Sequence, residues 1–254
     1  TMDEKTASAP GRRASARDAK RSARAAQAGH SVPYITRRIP VYEVLDEEGL
    51  ALIERNADTI LEEIGIEFRE DPEALAIWKA AGADVEGERV RMPRGLCRRL
   101  IQATAPRQFT QHARNPARSV EIGGPHTVFA PAYGSPFVYD LDQGRRYAGI
   151  EDFRNFVKLA YVTTSLHHSG GTICEPVDLP VNKRHFDMVY SHMKYSDKCF
   201  MGSVTHPERA ADTVEMAKIL FGGEWLDPAT GKPKTCIVSL INVNSPMTYD
   251  ATML

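Results

Sequence analysis

Polar residues suited to chemistry follow three runs that are each typical of a β-strand: Leu166–Cys174, Cys199–Val204 and Thr235–Val243. In parallel β/α folds, ligands bind at the carboxyl ends of the strands. From this rule we predict four catalytic residues: His168, Glu175, His206 and Asn244. The same strand ends supply four predicted substrate-binding residues: Gly170, Gly171, Asn242 and Asp250.

Purely structural roles are the alternative for the glycine pair and for three further polar residues near it in sequence. The pair Gly170-Gly171 is more often a tight turn or bulge than a ligand cradle. Thr205 with Glu208 forms a capping-box pattern, which predicts that Thr205 is the N-cap of the following helix. His185 and His192 lie beside the apolar stripe of one helix, so packing or surface roles are expected for both.

Five aromatic residues form a second candidate feature. The segment FAPAYGSPFVY carries Phe129, Tyr133, Phe137 and Tyr139, and Tyr249 lies beside Asp250 near a predicted strand end. Aromatic clusters usually pack in a core. The alternative is a cage for a quaternary ammonium, in which ring faces attract a cation that cannot donate a hydrogen bond. We therefore add these five residues to the predicted substrate-binding set.

The four cysteines predict core packing. Cys174, Cys199 and Cys236 with His168 would make a thiolate-imidazole site only if the fold brought them together, and their spacing matches no zinc signature. Free cysteine is among the most commonly buried residues, so we predict no metal site. The sparse cysteines without a C-x-x-C pair favour a reducing, cytoplasmic location.

Several enzyme classes lose their sequence support. The chain lacks the patterns G-x-G-x-x-G, G-x-x-x-x-G-K-[ST], H-E-x-x-H and G-x-S-x-G. These mark dinucleotide binding, P-loop phosphate chemistry, zincin proteolysis and the common hydrolase elbow. With a net charge of -1, nucleic-acid binding is not expected. No apolar run is long enough to predict a membrane span.

The pattern of elements predicts an N-terminal tail and two structural parts. Residues 1–33 are rich in Ala, Arg and Ser, and we expect a basic, disordered tail rather than an organelle-targeting peptide. Residues 34–125 alternate short helices with β-elements, and one of these helices is predicted to begin at Asp71-Pro72 and to run to Gly82. Residues 126–254 begin with a strand near Thr127–Ala130 and a hairpin, Pro136–Leu141 and Arg145–Ala148, which turns at Asp142-Gln143-Gly144. Strand–helix alternation follows. That alternation indicates parallel α/β architecture, either an open sheet or the first half of a (β/α)₈ barrel.

Dense stretches of the sequence resemble the trimethylamine methyltransferase (MttB-like) superfamily. The most similar are FTQHARNPARSVEIGG (109–124), SPFVYDLDQGRRYAGIEDFRNFVKLA (135–160), HHSGGTICEPVDLPVNKRHFDMVYSHMKYSDKCFMG (167–202), ERAADTVEMAKILFGG (208–223) and IVSLINVNSPMTYDATML (237–254). The resemblance implies a TIM-barrel fold, of which this chain would hold the N-terminal extension and roughly the first half of the barrel. None of the predicted site residues is carried over from the family.

The resemblance also implies a reaction. Members of the superfamily move a methyl group from a methylated amine, such as trimethylamine or glycine betaine, to the Co(I) of a corrinoid on a partner protein. No D-x-H-x-x-G signature occurs here, which agrees with a corrinoid (cobalamin) held by the partner and not by this chain. We expect a homo-oligomer or assembly with the rest of the barrel. The alternatives are an incomplete half-barrel that binds quaternary ammonium or only assembles, and a zinc-dependent methyltransferase.

Overall fold

The computed structural model describes residues 32–241 and 247–254. It is a mixed α/β structure. Asn242 and Asn244 lie outside the described residues, and so does the predicted tail except for residues 32 and 33. No helix in the described part of the chain is long and apolar enough to cross a membrane.

The N-terminal part is built from three helices and a small sheet. Its helices are α1 (Glu47–Thr59, continued by one π-helical turn, Ile60–Ile64), α2 (Pro72–Ala80) and α3 (Leu96–Thr104). Its strands are β1 (Ile35–Thr36), β2 (Ile66–Phe68), β3 (Asp84–Glu86) and β4 (Arg89–Arg91). The sheet is completed by the distant strand Thr248–Tyr249, and its order is Thr248–Tyr249, β2, β4, β3. The buried core beneath it consists of Ile66, Phe68, Ala83, Val90, Met92 and Leu96.

Helix α1 differs from its sequence pattern in one respect. The apolar residues Leu50, Ile53 and Ile60 recur at helical spacing, yet each is about half exposed and α1 contains no buried residue. The polar side of the helix faces the protein instead, where Glu54 pairs with Arg98. The periodicity therefore identifies an amphipathic helix correctly, but it does not identify which face packs against this part of the chain.

Three antiparallel pairings follow. Strands β5 (Gln108–Gln111) and β6 (Val120–Gly123) pair in an antiparallel ladder around the short 3₁₀ turn Pro116–Arg118, and β7 (His126–Thr127) pairs with β1. The predicted hairpin is confirmed: β8 (Phe137–Asp140) pairs with β9 (Gly144–Tyr147).

Three longer helices separate four extended segments. The helices are α4 (Ile150–Val162), α5 (Arg184–Tyr195) and α6 (Pro207–Phe221), the last followed by a 3₁₀ turn, Gly222–Trp225. We call the extended segments S1 (128–135), S2 (166–175), S3 (198–204) and S4 (235–241). The terminal strand Thr248–Tyr249 is β10.

The four segments run parallel, each beside the next in sequence. Parallel bridges join Ser135 of S1 to Cys174 of S2, and Met201 of S3 to Val238 of S4. Between S2 and S3, the Ser169 amide donates to the Cys199 carbonyl at 2.8 Å. Their order S1-S2-S3-S4 with an intervening helix each time is the arrangement that strand–helix alternation predicts.

Three details of the prediction are wrong. S2, S3 and S4 take part in isolated bridges rather than regular strands, and within S2 Gly170 takes φ +91, away from extended strand conformation. The strand expected at 127–130 is restricted to β7. The N-cap of α6 is His206, whose ring nitrogen accepts from the Glu208 amide, while the Thr205 hydroxyl binds Arg209. Pro207 at the first helical turn explains the shift of the cap, because it fixes where the helix begins.

Candidate functional site

A cavity of about 400 Å³ lies at the carboxyl ends of the four parallel segments. Each segment contributes to its wall, together with two residues near the described C-terminus. The lining residues are Tyr133, Gly134, Gly171, Thr172, Glu175, Met201, Gly202, Ser203, Val204, Thr205, Leu240, Ile241, Thr252 and Met253. The size is in the range of small-molecule sites, and the location is the one expected for a parallel β/α fold.

Glycines keep this end of the segments open. A Cβ on Gly171 would lie 3.0 Å from the Cβ of Met201, and a Cβ on Gly202 would lie 2.3 Å from the Cγ2 of Thr213 on α6. A side chain at position 171 would therefore collide with S3, and the glycine avoids this collision. Gly202 allows α6 to pack closely behind the cavity wall.

One carboxylate faces the cavity. Among the described lining residues Glu175 alone carries a charge. Its backbone amide donates to the Ser135 carbonyl at 2.9 Å, which fixes it to S1. Its Oε1 accepts from the guanidinium of Arg184, the first residue of α5, at 2.5 Å. Arg184 also donates to the Leu179 carbonyl at 3.1 Å, so the loop between S2 and α5 holds the ion pair in place.

His192 on α5 lies behind the glycine pair. Its Nε2 donates to the Gly171 carbonyl at 2.8 Å, so its Nδ1 is unprotonated and accepts from the Ser169 hydroxyl, also at 2.8 Å. Burial lowers the pKa of His192 to about 4. The ring is therefore neutral at physiological pH, and it fixes the backbone of S2 next to the cavity.

His168 does not reach the cavity. It is 2% exposed; its Nδ1 accepts from the Gly170 amide at 2.9 Å, and its Nε2 donates to Gln111 Oε1 at 3.1 Å. Burial lowers its pKa to about 3. Both ring nitrogens are occupied by contacts within the fold, so the position of His168 is that of a structural residue and gives no support to the predicted catalytic role.

The five aromatic residues do not converge. Tyr133 lines the cavity, whereas Phe129 stacks on His167 with ring centroids 5.6 Å apart. Phe137 packs on Tyr147 of the hairpin, and Tyr139 is 76% exposed. Tyr249 packs edge-to-face on Phe68 in the N-terminal sheet. A cage of all five is not formed, because Phe137 and Tyr139 belong to the β8–β9 hairpin and Tyr249 belongs to β10 in the N-terminal sheet.

The remaining predicted residues are divided among several places. Gly171 and Glu175 border the cavity with Tyr133, and Gly170 supplies the left-handed turn behind them, as the structural alternative for the glycine pair predicted. His206 is the exposed N-cap next to the lining residue Thr205. Asp250 accepts from the Met253 amide and stabilises the turn that brings Met253 to the cavity.

The buried cysteines act as core residues, as predicted. Cys174, Cys199 and Cys236 belong to three separate clusters. Burial raises the pKa of the Cys174 and Cys199 thiols to about 12 and that of Cys236 to about 11, so the thiolate form is disfavoured. In the described part of the chain no three His, Cys, Asp or Glu side chains are grouped so as to hold a metal ion.

Sequence reasoning missed three residues that hold the parallel segments in place: Arg184, Gln111 and Lys198. For His192 it expected only a packing or surface role. Gln111 on β5 donates to the Phe200 carbonyl at 2.9 Å, and Lys198 donates to the Ala160, Thr163 and Leu166 carbonyls at 2.7–3.0 Å. Their partners are distant in sequence, and most are backbone carbonyls, which leave no residue-type signal.

Comparison with known proteins gives a consistent result. Over 216 residues, or 85% of this chain, the sequence is 48% identical to the glycine betaine methyltransferase of Desulfitobacterium hafniense (strain Y51), of which the match covers 44%. It is 29% identical over 178 residues, 68% of this chain, to the proline betaine:corrinoid methyltransferase of Eubacterium limosum, of which 35% is covered. The chain thus spans less than half the length of these curated relatives. The family model described as trimethylamine methyltransferase (MTTB) matches residues 11–254, and the chain therefore belongs to that family.

Proposed function

We propose that this chain contributes the substrate-binding half of an enzyme that moves a methyl group from a quaternary amine to the Co(I) of a corrinoid on a partner protein. The observation that carries the proposal is the cavity at the ends of S1–S4, with a carboxylate and an aromatic ring in its wall. The 48% identity to a glycine betaine methyltransferase supports a betaine as the methyl donor.

In this proposal the cavity residues bind and orient the donor. Glu175 and the ring of Tyr133 attract the quaternary nitrogen, and the glycines leave room for its methyl groups. The corrinoid supplies a Co(I) nucleophile. The C–N bond breaks with its electron pair remaining on nitrogen, so the amine leaves neutral without a proton from the protein. Alignment of the methyl group is then the principal contribution of the chain.

We further propose that S1–S4 with α4–α6 form the first half of a (β/α)₈ barrel, residues 126–254. Residues 34–125 are its N-terminal extension and 1–33 its basic tail. The consecutive parallel order of S1–S4 supports this, and so does the greater length of the relatives. The remaining barrel units then close the cavity on the side that S4 borders.

The experiment is a chimera. This chain replaces the aligned 44% of the Desulfitobacterium glycine betaine methyltransferase, and transfer is followed as loss of the Co(I) absorbance of cobalamin on addition of glycine betaine, proline betaine or trimethylamine. We expect transfer from a betaine. Glu175→Gln in the chimera should reduce the rate, whereas Glu208→Gln, at an 87% exposed side chain on α6, should not.

The isolated chain is assayed in parallel. Binding of glycine betaine by the chain, without transfer by a well-folded chimera, would replace the proposal with the alternative of a quaternary-ammonium-binding module. A folded chimera that neither binds nor transfers from any of the three donors would refute both.

A further inference from the structure

The ion pair in the cavity wall has an unusual electrostatic consequence. A single carboxylate would attract any cation, but Glu175 is compensated by a guanidinium at 2.5 Å. The Glu175 side chain is 44% exposed and that of Arg184 only 12% exposed. The wall therefore presents a negative group to the cavity, with a positive group held directly behind it.

Arg184 is held firmly in this position. Its backbone amide donates to the Pro180 carbonyl at 2.9 Å, and its side chain donates to the Leu179 carbonyl at 3.1 Å. Its Nε is buried and has no acceptor among the described residues. A guanidinium that is anchored in this way cannot move away from Glu175 without leaving further donors unpaired.

The pair acts as a dipole rather than as a net charge. A ligand with a net positive charge, such as tetramethylammonium, loses hydration on entry and finds no net countercharge in the described wall. A betaine carries a cation and a carboxylate a short chain apart and has no net charge. It therefore does not depend on a net countercharge in the wall, and its quaternary nitrogen still faces the Glu175 carboxylate.

We infer that the Glu175–Arg184 pair makes the cavity selective for zwitterionic quaternary amines over quaternary amines of net positive charge, with Arg184 as the residue that determines this selectivity. The inference rests on the proposed function of the cavity. It assigns Arg184 a positioning and electrostatic role through Glu175, with no contribution to bond breaking.

The test compares two ligands on the same protein. Glycine betaine and tetramethylammonium are titrated by calorimetry into the chain and its variants Arg184→Gln, Glu175→Gln and the double variant. The ratio of the two dissociation constants is the readout, because a general loss of folded protein changes both constants together. Arg184→Lys tests rescue by a retained charge. Arg154→Gln is the control; it removes the pairs of Arg154 with Glu151 on α4 and with Asp187 on α5, neither of which lines the cavity.

We expect wild type to prefer glycine betaine. Arg184→Gln leaves Glu175 uncompensated and should shift the ratio toward tetramethylammonium by about tenfold, equivalent to about 1.4 kcal/mol. Glu175→Gln should shift it the opposite way. The double variant and Arg184→Lys should return it toward the wild-type value, and Arg154→Gln should leave it unchanged.

A ratio that Arg184→Gln leaves unchanged, in a protein that binds both ligands, overturns the inference and leaves the proposed function standing. Equal weakening of both ligands has the same meaning, since it is what a purely structural arginine would produce. A wild-type chain that binds neither ligand overturns the inference as well, and the chimera assay then decides the proposed function separately.

Discussion

The hydroxyl of Ser169 donates to Nδ1 of His192 at 2.8 Å, on a ring that lies directly behind the cavity and that burial keeps neutral. The opposite nitrogen, Nε2, donates to the Gly171 carbonyl. A second proton would have to be on Nδ1, and the Ser169 hydroxyl would then have to accept a hydrogen bond instead of donating one. Phe153 and Phe200 cover the two remaining sides of the ring. A neutral His192 is thus part of the folded structure, not a group poised for proton transfer.

Acid should destabilise the fold through His192 and His168. The pKa of His192 falls from 6.5 to about 4 on folding, so below pH 6.5 the unfolded chain binds a proton that the folded chain does not. Stability is therefore lost as the pH falls from about 6.5 toward 4, by about 1 kcal/mol per pH unit for such a group. Denaturant unfolding at a series of pH values measures this. His192→Asn should be less stable at pH 7.5 but show a shallower pH dependence; equal slopes for variant and wild type would contradict the assignment.

Lys198 should be a major stabilising residue. It is buried, and its ammonium donates to three carbonyls at and beyond the C-terminus of α4, where helix carbonyls lack partners. Lys198→Met leaves these carbonyls unpaired and should lower the free energy of unfolding by about 3 kcal/mol. Lys218→Met on α6, whose partner Glu215 is largely exposed, is the control and should change it by less than about 1 kcal/mol. Similar unfolding curves for the two variants would exclude an anchoring role.

Gly202 should not tolerate even a methyl group. Its Cβ would lie 2.3 Å from Thr213 Cγ2, so Gly202→Ala must push S3 and α6 apart, at a cost of about 1–3 kcal/mol. Nothing lies within 4 Å of a Cβ on Gly223, and Gly223→Ala should be nearly neutral. Thermal unfolding compares the two. Equal melting temperatures for Gly202→Ala and Gly223→Ala would mean that the close packing of S3 on α6 is not required for stability.

Tyr133 should contribute to quaternary-ammonium binding, and Tyr139 should not. Both belong to the aromatic segment, but only Tyr133 lines the cavity, while Tyr139 is exposed on the β8–β9 hairpin. We expect Tyr133→Ala to weaken glycine betaine binding by about 1 kcal/mol, roughly fivefold. Titration calorimetry on both alanine variants checks this. Loss of binding in Tyr139→Ala alone would assign the ligand to a different surface.

Patterns within a few adjacent residues predicted several helices and strands correctly. Asp71 followed by Pro72 predicted the start of α2, and the turn 142–144 predicted the β8–β9 hairpin; both depend on backbone preferences of a few adjacent residues. Strand-end logic also placed Glu175 and Gly171 at the cavity, because parallel segments in a β/α fold open on one side.

The same logic misplaced His168 and Tyr249. Its rule gives the edge of a sheet but not the direction of each side chain, and His168 points into the interior toward Gln111, a residue on the distant strand β5. Tyr249 follows S4 in sequence but pairs with β2 in the N-terminal sheet, a connection that leaves no periodic signal.

From its sequence alone this chain can be assigned a strand–helix architecture, core cysteines and a strong family resemblance, since each depends on residue types and on spacings within short segments. Only the tertiary structure decided which strand-end residues share one cavity, that Arg184 neutralises Glu175 and that both His168 and His192 are neutral. Those properties come from distances between residues that are far apart in the chain or from burial, and the packing of the helices on the parallel segments establishes both.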